Sequence, residues 1–249
     1  MKHDLKDITF VIPFYLENKE RSDNLYCIYN FLRDNFETNF FLIQSYREIG
    51  EQLPISDFFI RQENEIFHRT KVINAGIKSV QTKYFSIYDT DTIFSIENIV
   101  AAALRLRDGA QAVYPYDGRF IDIDRSYLRD GIIKEATSFA TESKGGAVFL
   151  NTKDYFSTGL ENENIISWGP EDAERYERMK TLGFRIERMP GKCWHISHQR
   201  GVNSGPQNPH TTANNSEYEK VKAMNKEELQ AYIKTWAWAG TPTLKGEKA

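Results

Sequence analysis

Cysteine is scarce: only Cys27 and Cys193 occur in 249 residues, far apart and in no paired spacing. This argues against a disulfide framework and a cysteine-built zinc site, and it fits a reduced, cytosolic setting. An excess of either charge is lacking too. Lys and Arg number 32 against 35 Asp and Glu, a formal net charge of −3. No overall field therefore draws nucleic acid or an anionic membrane, and an anionic ligand has to be held locally. No apolar run approaches the roughly 20 residues that cross a bilayer, and the opening "MKHDLKDITF" has no apolar stretch of the secretory kind. The expectation is a cytoplasmic chain with no transmembrane segment, at most peripheral at the inner face of the membrane. What the chain does have, 40% hydrophobic and 13% aromatic residues, is enough for the core of one large domain.

Short apolar runs alternate with helical periods. "ITFVIPFY" (8–15) reads as a buried strand stopped by charge; Leu25, Ile28, Tyr29 and Leu32 then recur at helical spacing after a cap at Ser22 or Asp23, and "NFFLIQS" reads as a second strand. "FFIRQE" continues as a strand, "HRTKVINAGIKSV" as an amphipathic helix offering Val72, Ile73, Ala75, Gly76 and Val80 to a sheet, and "KYFSIYD" as another strand. "SIENIVAAALRLRDG" is a helix with a Ser cap and a Gly stop, followed by the strand "AQAVYPYDG". Such alternation predicts an α/β fold with a mostly parallel, doubly wound sheet whose ligands sit outside the carboxyl ends of the strands.

Beyond about residue 117 the period loosens, until a small strand "GGAVFLN", a helix "PEDAERYERMKTLG" and a strand "FRIERMP". "HQRGVNSGPQNPHTTANNS" reads as a long polar loop and "SEYEKVKAMNKEELQAYIKTWAW" as a closing helical region. The expected organisation is a single domain, 1–249, with a nucleotide-binding half (1–116), an acceptor and metal half (117–210) and a C-terminal helical region (211–249).

Three clusters carry chemistry. "YFSIYDTDTI" ends an apolar run in Asp89 and Asp91. On a strand these side chains point the same way, and two hard oxygens suit magnesium or manganese, although Asp-x-Asp is also an ordinary polar strand end or Asx turn. "CWHISHQRG" adds His195 and His198, spaced to reach one cation or, alternatively, half-buried packing residues beside Trp194. "ISWGPEDAERYERM" sets Glu171 and Asp172 in a first helical turn behind Trp168. That is common dipole chemistry, yet an aromatic wall beside a carboxylate also places a general base against a sugar hydroxyl.

Five ordered segments, over roughly residues 8 to 210, resemble the metal-dependent β-1,4-galactosyltransferase family and its bacterial galactosyl- and N-acetylgalactosaminyltransferase relatives, enzymes of GT-A fold. They are "VIPFY", "FHRTKVINAG", "DTD", "GGAVFL…WGPEDAERYERMKTLGFRI" and "GKCWHISHQRGVNSGPQNP". The resemblance implies a Rossmann-like central sheet with helices on both faces, a small extra sheet and C-terminal helices. It implies an inverting transfer of galactose or N-acetylgalactosamine from a UDP-sugar to a glycan hydroxyl, in polysaccharide biosynthesis on an acceptor that is free or lipid-linked.

By this resemblance Pro13 and Phe14 lie against the uridine, Arg69 contacts the nucleotide, Asp89 touches the donor's ribose or sugar, and Gly145 and Gly146 give close approach to the donor sugar. Trp168 closes over the donor, Asp172 is the base and Glu171 positions the acceptor. Asp91, His195 and His198 hold Mn2+. His195 stands where vertebrate members carry Met, a softer ligand, which broadens metal use toward Mg2+. Ser143 stands where galactose-using members carry Tyr, so N-acetylgalactosamine is favoured and galactose stays close behind. Tyr15 and Glu17 replace basic residues of the family, Gly-Pro replaces Gly-Gly before Glu171, and Ala173 replaces a third acid. The competing expectations are a metal-dependent nucleotidyltransferase or phosphohydrolase and a catalytically silent UDP-sugar-binding module.

Overall fold

The run that ends in Pro13 and Phe14 lies deep inside a sheet. In a computed structural model, which describes residues 1–205 and 207–239, the first half follows the expected alternation. Its elements are β1 (His3–Tyr15), α1 (Lys19–Asn35), β2 (Phe36–Tyr46), β3 (Phe58–Arg61), α2 (Arg69–Ile77), β4 (Tyr84–Tyr88), β5 (Thr92–Ile93), α3 (Ile96–Arg107) and β6 (Ala112–Tyr114). The second half adds β7 (Arg119–Ile123), α4 (Tyr127–Asp130), β8 (Glu135–Ala140), β9 (Ala147–Asn151), α5 (Thr152–Phe156), α6 (Glu171–Leu182), β10 (Ile186–Arg188), β11 (Lys192–Ile196), α7 (Thr211–Lys222) and α8 (Lys226–Ile233). Pro206 of the polar segment and residues 240–249 of the expected C-terminal region lie outside the described residues.

The main sheet has the order β10-β6-β9-β4-β1-β2-β3. Every pairing is parallel except those of β9, which runs antiparallel between β4 and β6. β1 is buried from Ile8 onward, as a strand covered on both faces requires. Gly76 of α2 is a spacing residue: a Cβ there would come within 2.1 Å of Ile43 Cδ1 and 2.8 Å of Val11 Cγ1, so only glycine lets α2 lie this close to β1 and β2. Opposing β4, β9 places Ala147 beside Tyr88, and the Gly145-Gly146 turn thus sits next to Asp89.

Residues 119–140 supply the strands that lacked a clean period. β7 and β8 join β11 and β5 in a second sheet of order β5-β11-β7-β8. β7 is five residues long with Asp122 between its apolar residues, and β8 is six residues long, so the two give too few alternations to read. Two boundaries differ from expectation. α1 begins at Lys19, not after Ser22 or Asp23, because Asn18 caps it by accepting the Arg21 N–H at 3.1 Å. The polar segment after His198 is not loop throughout, since α7 starts at Thr211. Its weak helix formers are held by tertiary contact: Asn214, buried in α7, hydrogen-bonds Ile166 through both N–H and C=O and also the Trp168 carbonyl.

Candidate active site

β4 stops at Tyr88, and Asp89, Thr90 and Asp91 form the turn into β5. The aspartates therefore leave the sheet at its carboxyl end but diverge instead of sharing a strand face. β11 lies antiparallel to β5 with His195 opposite Thr92, and the Ile196 N–H donates to the Asp91 carbonyl at 2.7 Å. This ladder carries His195 to Asp91, and the chain beyond Ile196 brings His198 back to the same carboxylate. His198 Nε2 is 3.2 Å and His195 Nε2 3.7 Å from Asp91 Oδ2.

The far side of each ring fixes its tautomer. His195 Nδ1 lies 2.6 Å from Asp122 Oδ1, and His198 Nδ1 lies 2.9 Å from the Gln199 carbonyl. Carboxylate and carbonyl only accept, so both Nδ1 atoms carry protons and both Nε2 atoms are turned toward Asp91. Burial favours neutral imidazole at His195, but the charge of Asp91 and the hydrogen bond to Asp122 outweigh it and push this group up to about 9. At Asp91 burial works against ionisation, and His195, His198 and Arg21 hold the carboxyl well below its ordinary value. Positive charge is demanded at this point. Ligand atoms of Asp91, His195 and His198 all lie within 4.8 Å of one another, a carboxylate and two imidazoles suited to manganese, zinc or iron.

A second cluster adjoins the first. Arg69, the first residue of α2, binds Asp89 Oδ1 through Nη2 and Glu171 Oε1 through Nη1 at 3.2 Å, and is 3.8 Å from Asp172 Oδ1. Its guanidinium is thus engaged by three carboxylates on the same cleft. Burial raises Asp89, with Arg69 opposing and Asp172 and Asp91 reinforcing the rise. Burial, then the Asp172 charge, pushes Glu171 up to about 8, and its Oε2 has no hydrogen-bond partner among the described residues. Two adjacent carboxyls at the start of α6 thereby occupy different environments, which is how paired acids come to divide donor and base roles.

Asp172 is held from below. Arg175, one helical turn on, donates to Asp172 Oδ1 at 2.8 Å and makes a two-pronged pair with Glu161 at 2.7 and 2.8 Å. Arg175 and Glu161 side chains are each 1% exposed. The Tyr155 hydroxyl donates to Glu161 as well. Against burial, Arg175 keeps Glu161 below its ordinary value. Such a pair is tolerable only because nearly every donor and acceptor is matched.

Both clusters line one cleft of about 510 Å³, together with Pro13, Phe14, Phe67, Ser143, Gly145, Gly146 and Trp168. Gly146 (φ 88°) donates its N–H to Asp89 Oδ2 at 3.1 Å. A Cβ on Gly145 would stand 3.0 Å from Asp172 Oδ2, so glycine keeps that carboxylate open. Trp168 is 36% exposed, the highest value among the wall residues named here. Its loop is pinned by Asn214 and, through the Ser167 hydroxyl, by Asn203 at 2.6 Å.

Every site residue expected from sequence lies on this cleft. Asp122, Glu161, Arg175, Asn203 and Arg21 were missed. Arg175 was legible as the residue one turn beyond Asp172, and Asp122 as the lone acid between the apolar neighbours of "FIDI"; the others depend on long-range pairing.

The segment that carries Glu171, Asp172 and both histidines also has a family match. Residues 135–200 match the family model described as the N-terminal domain of galactosyltransferase. The motif resemblance is thus met over the galactosyltransferase-like segment, which runs from β8 through β11 to His198, although it is well under half of the chain. Comparison with curated proteins finds no match. Among solved structures, the chain is similar to GalNAc-T7 with UDP, GalNAc and Mn2+ (TM-score 0.59, 12% identity, 91% of this chain and 49% of that one). It is also similar to the catalytic domain of Drosophila β1,4-galactosyltransferase 7 with xylobiose (TM-score 0.45, 14% identity, 75% and 64%). A mutant of that enzyme with manganese, UDP-Gal and xylobiose gives TM-score 0.45 and 14% identity over 92% and 79%. The chain thus spans 64% of the galactosyltransferase 7 catalytic domain and 49% of GalNAc-T7. At 12% identity the likeness to GalNAc-T7 establishes the fold alone, an α/β GT-A architecture: α/β as the alternation predicts, and GT-A as the motif resemblance implies. No described helix is long and apolar enough to cross a membrane.

Proposed function

We propose that the protein is a metal-dependent, inverting glycosyltransferase that moves galactose or N-acetylgalactosamine from a UDP-sugar to a hydroxyl of a glycan. The observation that carries this reading is one cleft bearing both a convergent Asp91-His195-His198 triad and a carboxylate pair on an adjoining wall. Mn2+ is the expected ion, with Mg2+ accepted because the triad holds no soft ligand. When bound, the metal neutralises the charge that develops on the departing diphosphate.

The remaining roles belong to side chains. Pro13 and Phe14, with Phe67, wall the uridine. Asp89 and the backbone of Gly145 and Gly146 meet the donor sugar. Ser143 leaves room beside its 2-position, which favours N-acetylgalactosamine over galactose. Trp168 covers the sugars and keeps water away from the reacting carbon. Protonated Glu171 donates its idle Oε2–H to the acceptor and orients it, while Asp172, steadied by Arg175, takes the proton from the attacking hydroxyl. The oxygen then attacks the anomeric carbon from the face opposite the diphosphate, which inverts the centre without a covalent intermediate. The acceptor is proposed to be a growing surface glycan, free or lipid-linked, met at the cytoplasmic side.

Thermal shift with UDP, UDP-galactose and UDP-N-acetylgalactosamine, each with and without Mn2+ or Mg2+, tests the reading. Stabilisation by uridine nucleotides that requires the metal is expected. Absence of any metal-dependent stabilisation overturns it, and release of pyrophosphate or phosphate in place of UDP points to phosphoryl chemistry.

A further inference from the structure

Arg21 has no role in the reaction just described, yet it reaches the most charged point of the cleft. It sits in the first turn of α1, its backbone N–H taken by the Asn18 cap. Its side chain is 18% exposed and lines the cleft. Nη1 donates to Asp91 Oδ2 at 3.2 Å, and Nε is 3.7 Å from Glu17 Oε2. Of the five N–H groups a guanidinium offers, only this one makes a hydrogen bond among the described residues.

The same Oδ2 atom faces Nε2 of both His195 and His198. A divalent cation shared by Asp91 and the imidazoles has to take that oxygen, and like charges a few ångströms apart in a partly buried site repel. Metal and Arg21 therefore compete for one carboxylate. The positions after "VIPF" carry Tyr15 and Glu17, so no cation follows the strand end directly. The nearest one along the chain that lines the cleft is Arg21, from one helical turn further on.

We propose that Arg21 is a partner-switching residue. Without metal it neutralises Asp91; once a divalent cation holds Asp91, the displaced guanidinium binds a phosphate oxygen of the nucleoside diphosphate. Its planar fork suits a phosphate, and Glu17 keeps it at the cleft mouth between its two partners. Arg21 thus opposes the bare metal and favours the diphosphate, making metal capture depend on the donor. This rests on the proposed donor site.

The test is a pair of titrations on Arg21→Ala and, as a second variant that keeps side-chain bulk, Arg21→Gln. Mn2+ alone should bind about 3- to 10-fold more tightly than to the wild type, because a competing cation has gone. UDP at saturating Mn2+ should bind about 10- to 100-fold more weakly, the range of a lost hydrogen bond between charged groups. Opposite signs are the signature. A cation with a merely structural role would weaken both affinities together, and that result, or no change in either, overturns the inference. Wild-type protein separates the two readings. If it binds UDP with Mn2+ while the variants match it, only the role of Arg21 fails; if it binds no UDP at all, the donor site fails and the switch with it.

Discussion

Glu171 gives the cleft a measurable pH signature. Its side chain is 11% exposed, and burial together with the charge of Asp172 pushes it up to about 8 from an ordinary 4.5. Below the lower value both folded and unfolded chains hold the proton. Between the two values the unfolded chain has released it and the folded chain keeps it, so stability falls as pH rises, by about 1.4 kcal/mol per pH unit. Above the folded value the full penalty, about 5 kcal/mol for this group, no longer changes with pH. Glu171→Gln removes the titration, preserves shape and leaves a carbonyl for Arg69 Nη1, now 3.2 Å from Oε1. Urea unfolding at about pH 5.5 and about pH 7.5 reads the difference: over that interval wild type should lose about 2–3 kcal/mol more than the variant, since all other titrating groups are shared. Curves that shift in parallel, within about 0.5 kcal/mol, would refute the claim that burial keeps Glu171 protonated, and with it the hydrogen-bond donor assigned to the acceptor site.

Three further outcomes follow from the same contacts. Asp172→Asn should lower turnover by about 10²- to 10⁴-fold while UDP binding measured by calorimetry is retained, and loss of UDP binding would make Asp172 structural. Asp122→Asn removes the carboxylate that orients His195 Nδ1 at 2.6 Å, so Mn2+ affinity should fall about 10- to 100-fold in a direct metal titration. Arg175→Met leaves Glu161 charged and buried, which should cost about 3–5 kcal/mol in chemical denaturation, and adding Glu161→Gln should recover part of that loss.

How much of this was legible in the sequence divides by range of interaction. The first half of the main sheet was legible because β1, β2 and β4 are buried runs and α2 and α3 keep a helical period; these are local properties. The second sheet was not, because β7 pairs with the distant β11, Arg119 opposite Lys192, and β8 joins the sheet only through β7. The cap at Asn18 was missed since the first turn of α1, "KER", shows no apolar periodicity. Within the cleft the motif residues could be named one by one and the resemblance implied a role for each, but the contacts that separate those roles could not be read from the chain. Asp89 and Asp91 look equivalent in "DTD", and only the turn between β4 and β5 sends one to Arg69 and the other to the histidines.

That divergence makes Arg69 the hinge of the charge balance. The carboxylates of Asp89 and of Glu171 and Asp172 come from segments about 80 residues apart in sequence, the β4 end and the α6 start, and they are too acidic to be buried beside one another unaided. Arg69 touches Asp89 on one side and Glu171 on the other. Its charge is locked on, since three carboxylates raise it against burial. One cation still cannot neutralise three acids, and the surplus is resolved in two ways. Glu171 keeps a proton, and Asp172 leans on Arg175, whose own charge is matched by Glu161 outside the cleft. The proton on Glu171 is therefore a consequence of burying it beside the charge of Asp172, and replacing Arg69 should disturb both clusters at once.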